Sequence, residues 1–175
     1  MTDLADQAVV LPLAALVGIV LALQGWRRGA LGWSLGVGGT LAVMLALKLV
    51  MHACGLRPES PSGHTASAAV VAGGLWWVCG RDRGVIAAAG LTVLAIGATR
   101  LALGLHSLAD VIAGGLAGIA GAVAVSRIAG RRPDGLRAAP VIVTVAVVLL
   151  AMHGRHLGAE AVIRSVAADQ GCRIR

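Results

Sequence analysis

The chain has no tyrosine and no phenylalanine, and its 2% aromatic content is tryptophan alone. Without ring faces for bases to stack on, a formal net charge of +7 does not point to a nucleic-acid partner. Acidic residues are also few, eight against fifteen Lys and Arg, and they form no carboxylate cluster of the kind that holds a divalent cation. Cys54, Cys79 and Cys172 are odd in number, widely spaced and lack a C-x-x-C pattern. Neither a zinc site nor a disulfide framework is expected from them. The segment before Ala8 carries Asp3 and Asp6 but no Lys or Arg. It lacks the basic start of a signal peptide, so the following apolar segment is expected to be retained. Low-complexity tracts, clear repeats and linkers are absent. One transmembrane domain is expected over residues 1–152, followed by a tail, 153–175, that is interfacial or disordered.

What the chain has in quantity is apolar sequence. Hydrophobic residues make up 58% of it, charged residues 13%, and mean hydropathy is +0.87. A soluble domain of this length is far more polar, so the composition implies an integral membrane protein. Apolar runs extend over 9–26, 29–47, 65–80, 84–99, 106–126 and 138–152. The expected fold class is therefore all-α, an integral membrane bundle of about six transmembrane helices. Gly114 and Gly118 form a G-x-x-x-G spacing in the fifth run, which reads as a close helix-packing face.

Arg27, Arg28, Arg81, Arg83, Arg127, Arg131, Arg132 and Arg137 follow the first, third and fifth runs. Under the positive-inside rule these loops are cytoplasmic, and Trp26, Trp33, Trp76 and Trp77 are expected at the headgroups of that face. Lys48, Arg57, His64, Arg100, His106 and Asp110 then share the opposite, extracytoplasmic face. Six crossings also place the tail there, despite Arg155, Arg164, Arg173 and Arg175.

The polar residues of that face are the chemical content of the sequence. His106 and Asp110 are four residues apart, so a helix starting near His106 puts them on one side. Arg100 lies six residues before His106, and Gly104 is placed to supply the turn between them. Alone, this stretch fits a polar helix end as well as a catalytic group. Pro61-Ser62-Gly63-His64 stands at the start of the third run, where first-turn amides and the helix dipole favour an anion. Together with Lys48 and Arg57-Pro58 upstream, the set suits a phosphoryl group: arginine as a planar fork, lysine as a point charge.

These segments resemble the motifs of the type 2 phosphatidic acid phosphatase (PAP2) superfamily of membrane lipid phosphatases. Pro61 to His64 matches its P-S-G-H motif fully. Thr99-Arg100 through His106 to Asp110 matches S-R-x5-H-x3-D, with threonine in place of serine. The first motif, K-x6-R-P, is matched with eight residues between Lys48 and Arg57 instead of six. The resemblance implies a PAP2-like core and a metal-independent phosphatase without cofactor. Its nucleophile is His106, which forms a phosphohistidine; Asp110 orients it, and His64 protonates the leaving oxygen and then activates water. Lys48, Arg57, Ser62, Gly63 and Arg100 are the implied phosphate ligands. The implied substrate is a lipid phosphate or diphosphate, of the undecaprenyl diphosphate, phosphatidic acid or phosphatidylglycerol phosphate class. The implied place is the bacterial inner membrane, with the site on the periplasmic face. The alternative is a non-enzymatic membrane protein that binds or transports a lipid phosphate.

Overall fold

A computed structural model describes residues 6–54, 60–80, 83–155, 158, 163, 165 and 166. Among them the chain forms six helices and no strand: α1 (Gln7–Leu23), α2 (Arg27–Ala53), α3 (Gly63–Val78), α4 (Val85–Ala102), α5 (Leu108–Ala129) and α6 (Ala138–Ala151). The expected all-helical bundle is therefore what the sequence folds into. Helices α2, α4 and α5 are long and apolar enough to cross a membrane, and α1 and α6 are shorter apolar helices. At 14 residues, α6 is about 21 Å long, short of the roughly 30 Å of a hydrocarbon core.

The bundle is built around α5, which packs against α2, α3 and α4. Its small residues make that possible. A Cβ added to Gly118 would stand 2.5 Å from the Ala66 carbonyl oxygen and 2.7 Å from the Ala69 Cβ, so α3 and α5 touch backbone to backbone. On α2, a Cβ at Gly32 would stand 2.6 Å from the Ala129 amide nitrogen of α5. The G-x-x-x-G spacing is thus a packing face. Large apolar side chains point outward instead, with Leu94 70% and Leu116 65% exposed. Small residues inside and leucines outside invert the pattern of a water-soluble bundle and suit lipid as the solvent.

Three sequence expectations need correction. Helix α2 does not stop at Lys48 but continues through Leu49 to His52, because nothing in that stretch breaks it, and it buries Lys48 inside the bundle. Helix α5 begins at Leu108, two residues later than expected, since Ser107 caps it. The tryptophans are not all interfacial: Trp26 and Trp33 are buried, and Trp33 Nε1 donates 2.9 Å to the Ala14 carbonyl, tying α2 to α1. Trp76 does stand at a helix end, donating 2.7 Å to the Arg83 carbonyl at the α3–α4 turn. Cys54, the residue after α2, is disulfide-bonded.

Candidate active site

Alternation of helix direction brings the starts of α1, α3 and α5 to one end of the bundle with the ends of α2 and α4. The polar motifs all fall at this end. Helix α3 starts there because Ser62 caps it: its Oγ accepts 3.3 Å from the Thr65 amide and lies 2.9 Å from Thr65 Oγ1. Ser62 is fully buried, and its own amide donates 3.0 Å to the Asp110 carbonyl on α5. This backbone bond joins the Pro61–His64 motif to the His106–Asp110 motif. It requires α5 to come very close, and Gly114 permits it, since a Cβ there would collide with the Ser62 carbonyl and stand 3.3 Å from the Ser62 nitrogen.

The same bond changes the reading of Ser62. Its hydroxyl caps a helix and its amide is used by Asp110, so it joins two motifs and is not positioned to bind phosphate with that amide. Gly63, the first helical residue, keeps a first-turn amide that no α-helical carbonyl reaches. Lys48 lies beside it: its Cε is 3.6 Å and its Nζ 3.9 Å from the place a Gly63 Cβ would occupy. Lys48 is 6% exposed, and its carbonyl is 2.8 Å from His52 Nδ1, one helical turn on. His52 therefore braces the end of α2. His64 follows in the first turn of α3, where Ser67 Oγ donates 3.3 Å to its carbonyl.

Arg100 sits in the last turn of α4, 5% exposed. The turn after it closes as a Schellman motif: the Gly104 amide donates 3.0 Å to the Leu101 carbonyl, and the Leu105 amide 3.0 Å to the Arg100 carbonyl. Gly104 has φ +64°, the left-handed conformation that glycine adopts without cost. The turn expected at Gly104 is present, and it brings His106 back toward the end of the helix that carries Arg100.

His106 is not in a helix with Asp110. Ser107 is the N-cap of α5, and Asp110 is the third residue of the helix. Ser107 Oγ donates 2.6 Å to Asp110 Oδ2, the Ser107 amide 3.1 Å to the same oxygen, and the Asp110 amide returns 3.3 Å to Ser107 Oγ. This capping box fixes the buried Asp110 carboxylate against the residue next to His106. The carboxylate also lies at the positive end of the α5 dipole. Arg57 lies outside the described residues.

Comparison with known proteins decides what this arrangement belongs to. The PAP2 superfamily profile matches residues 33–134. The chain belongs to the PAP2 superfamily. A Klebsiella pneumoniae relative, described as an uncharacterized 22.5 kDa protein in the cps region, is 40% identical over 141 residues, covering 74% of this chain and 68% of its own. No solved structure matches the chain. Membership supports a phosphatase-type activity at a membrane.

Two residues at this end, Ser107 and Gln7, were not singled out from the sequence, and Gly114 was read only as part of a packing face. Ser107 was legible, since Ser107-Leu108-Ala109-Asp110 has the S-x-x-[DE] spacing of a capping box. Gly114 carried only the general signal of a small-residue face. Gln7 carried no signal at all, yet its Nε2 stands 3.9 Å from the same point beside Gly63 that Lys48 approaches.

Proposed function

We propose that the protein is a membrane-embedded phosphatase that hydrolyses a lipid phosphate or diphosphate through a phosphohistidine. The observation that carries this reading is the Ser62–Asp110 backbone bond of 3.0 Å, which unites the two halves of the PAP2 motif set at one end of the bundle. Lys48, Arg100 and the Gly63 amide neutralise and orient the phosphoryl oxygens, since phosphoryl transfer depends chiefly on positioning and charge stabilisation. His106 attacks phosphorus and the P–O bond to the lipid breaks, with His64 donating a proton to the departing oxygen. Asp110, held by Ser107, orients His106 and offsets the positive charge it gains. His64 then takes a proton from the water that hydrolyses the phosphohistidine, releasing phosphate.

The substrate belongs to the undecaprenyl diphosphate, phosphatidic acid or phosphatidylglycerol phosphate class. A headgroup at the interface reaches the helix ends while its chains stay among the exposed leucines of the bundle. The site faces the periplasm across a bacterial inner membrane. Two observations support that side: the arginine-rich loops gather at the other end of the bundle, and Cys54, disulfide-bonded, lies at the site end. The test is phosphate release by purified protein in detergent, with and without EDTA, against a panel of these lipids. We expect turnover that survives chelation and vanishes in His106→Ala. Normal turnover by that variant would sink the mechanism, and binding of the lipids without hydrolysis would make the protein a carrier.

A further inference from the structure

Helix α1 lies outside the matched family region, which begins at residue 33. Its first residue nevertheless reaches the site. Gln7 Nε2 and Lys48 Nζ each lie 3.9 Å from the position of a Cβ on Gly63, on which no side chain stands. A methyl group there would meet only ordinary van der Waals neighbours, so close packing does not demand glycine at 63. The missing Cβ leaves a small recess bounded by an amide donor, an ammonium and the start of α3. Gln7 Oε1, at the other end of the carboxamide, is buried and accepts no hydrogen bond among the described residues. A buried amide oxygen without a donor is costly in an apolar bundle. Among the described residues, no hydrogen bond accounts for the Oε1 end of this side chain.

We infer that Gln7 is a substrate-binding residue that donates Nε2–H to a phosphoryl oxygen held beside Gly63, with Lys48 supplying the charge. The inference rests on the phosphatase reading for its reaction but not for its binding. A neutral donor orients a phosphoryl oxygen without adding a further charge to bury. Helix α1 thereby becomes part of the site and not only a lipid-facing flank.

The test compares Gln7→Met, which keeps length and volume but has no donor, with Gln7→Glu, which places a carboxylate against the phosphate. Gln24→Met is the control: Gln24 is at the opposite end of α1, where its Oε1 accepts 3.0 Å from the Arg137 amide, and that variant should keep wild-type kinetics. In the full chain in detergent we expect Gln7→Met to lower kcat/KM about 10-fold or more, the loss of one hydrogen bond to a charged group, with an unchanged melting temperature. Gln7→Glu should lose more, and recover part of the loss as pH falls and the new carboxylate is protonated. Binding of inorganic phosphate, followed by 31P NMR line broadening, should weaken in parallel in both variants. Wild-type phosphate binding by Gln7→Met overturns the inference, even if turnover changes. If the wild type binds phosphate but hydrolyses no lipid, the phosphatase reading fails while the binding arm still judges Gln7. If the wild type does not bind phosphate, the inference about Gln7 falls, while the phosphatase reading is judged by lipid turnover alone.

Discussion

The two ends of the bundle treat charge in opposite ways. At the arginine-rich end, Arg27, Arg28, Arg83, Arg127, Arg131 and Arg137 are exposed, and what order they have comes from backbone contacts such as that of Arg132 with the Leu136 carbonyl. At the other end Lys48, Arg100 and Asp110 are buried, as are Ser60, Ser62 and Thr65. Exposed arginines near a headgroup layer require no partner and tolerate change. Buried charges are expensive in an apolar bundle, and their gathering at one end supports placing the proposed active site there. Close packing, by contrast, is found at both ends: Gly114 admits α5 against Ser62 at the site end, and Gly32 lets α2 approach the Ala129 backbone of α5 at the arginine-rich end.

The sharpest way to break this comparison is to remove one cation from each end. Arg100→Ala should lower kcat/KM about 100- to 1,000-fold, the scale of losing one preorganised donor to a transition-state oxyanion. Arg100→Lys should recover only part, because an ammonium does not reproduce a planar fork. Arg131→Ala, at the exposed end, should leave turnover of a lipid phosphate in detergent within twofold of wild type, roughly the effect of a neutral surface change. Equal losses from both ends would mean that burial does not mark the site.

A second pair tests the close packing at the site end. Gly114→Val forces side-chain atoms into the Ser62 carbonyl, so α3 and α5 must separate where their motifs meet. We expect destabilisation of about 1–3 kcal/mol from overpacking, read as a lower melting temperature in detergent, together with loss of activity from misplaced Gly63 and His64. Gly38→Ala, with open space around it, should leave both unchanged.

The sequence was most informative where a local rule and the burial pattern coincide. Apolar runs, the Gly104 turn and the glycine face were readable because membrane spans, left-handed turns and close packing each demand particular residue types. Helix ends were less so: Lys48 looked like a stop, but a lysine can continue a helix when its ammonium has a site to enter. The tryptophans misled for a similar reason, since an indole N–H that finds a carbonyl, as Trp33 finds Ala14, can be buried as well as interfacial. Gln7 was invisible because its part depends on α1 returning to the site end, which no local pattern encodes. The pairing of Ser62 with Asp110 was likewise a long-range fact, although both residues stood in recognised motifs.

Ser107 gives the smallest expected effect and the finest test of how the site end is organised. Its hydroxyl accepts from the Asp110 amide and donates to the Asp110 carboxylate, so one side chain both caps α5 and holds the carboxylate that we propose orients His106. Ser107→Ala removes both bonds, whereas Ser107→Asn can still cap the helix but meets the Asp110 carboxylate with a different group. Loss of the cap alone should cost about 0.5–2 kcal/mol of stability. If Asp110 acts only as a capping residue, Ser107→Asn restores both stability and kcat. If Asp110 orients His106, Ser107→Asn restores the melting temperature but leaves kcat lowered, because the carboxylate is no longer held at the angle that its Ser107 contact sets. A phosphate-release assay beside a thermal melt separates the two, and a kcat that follows stability in every Ser107 variant would assign Asp110 to the fold rather than to the reaction.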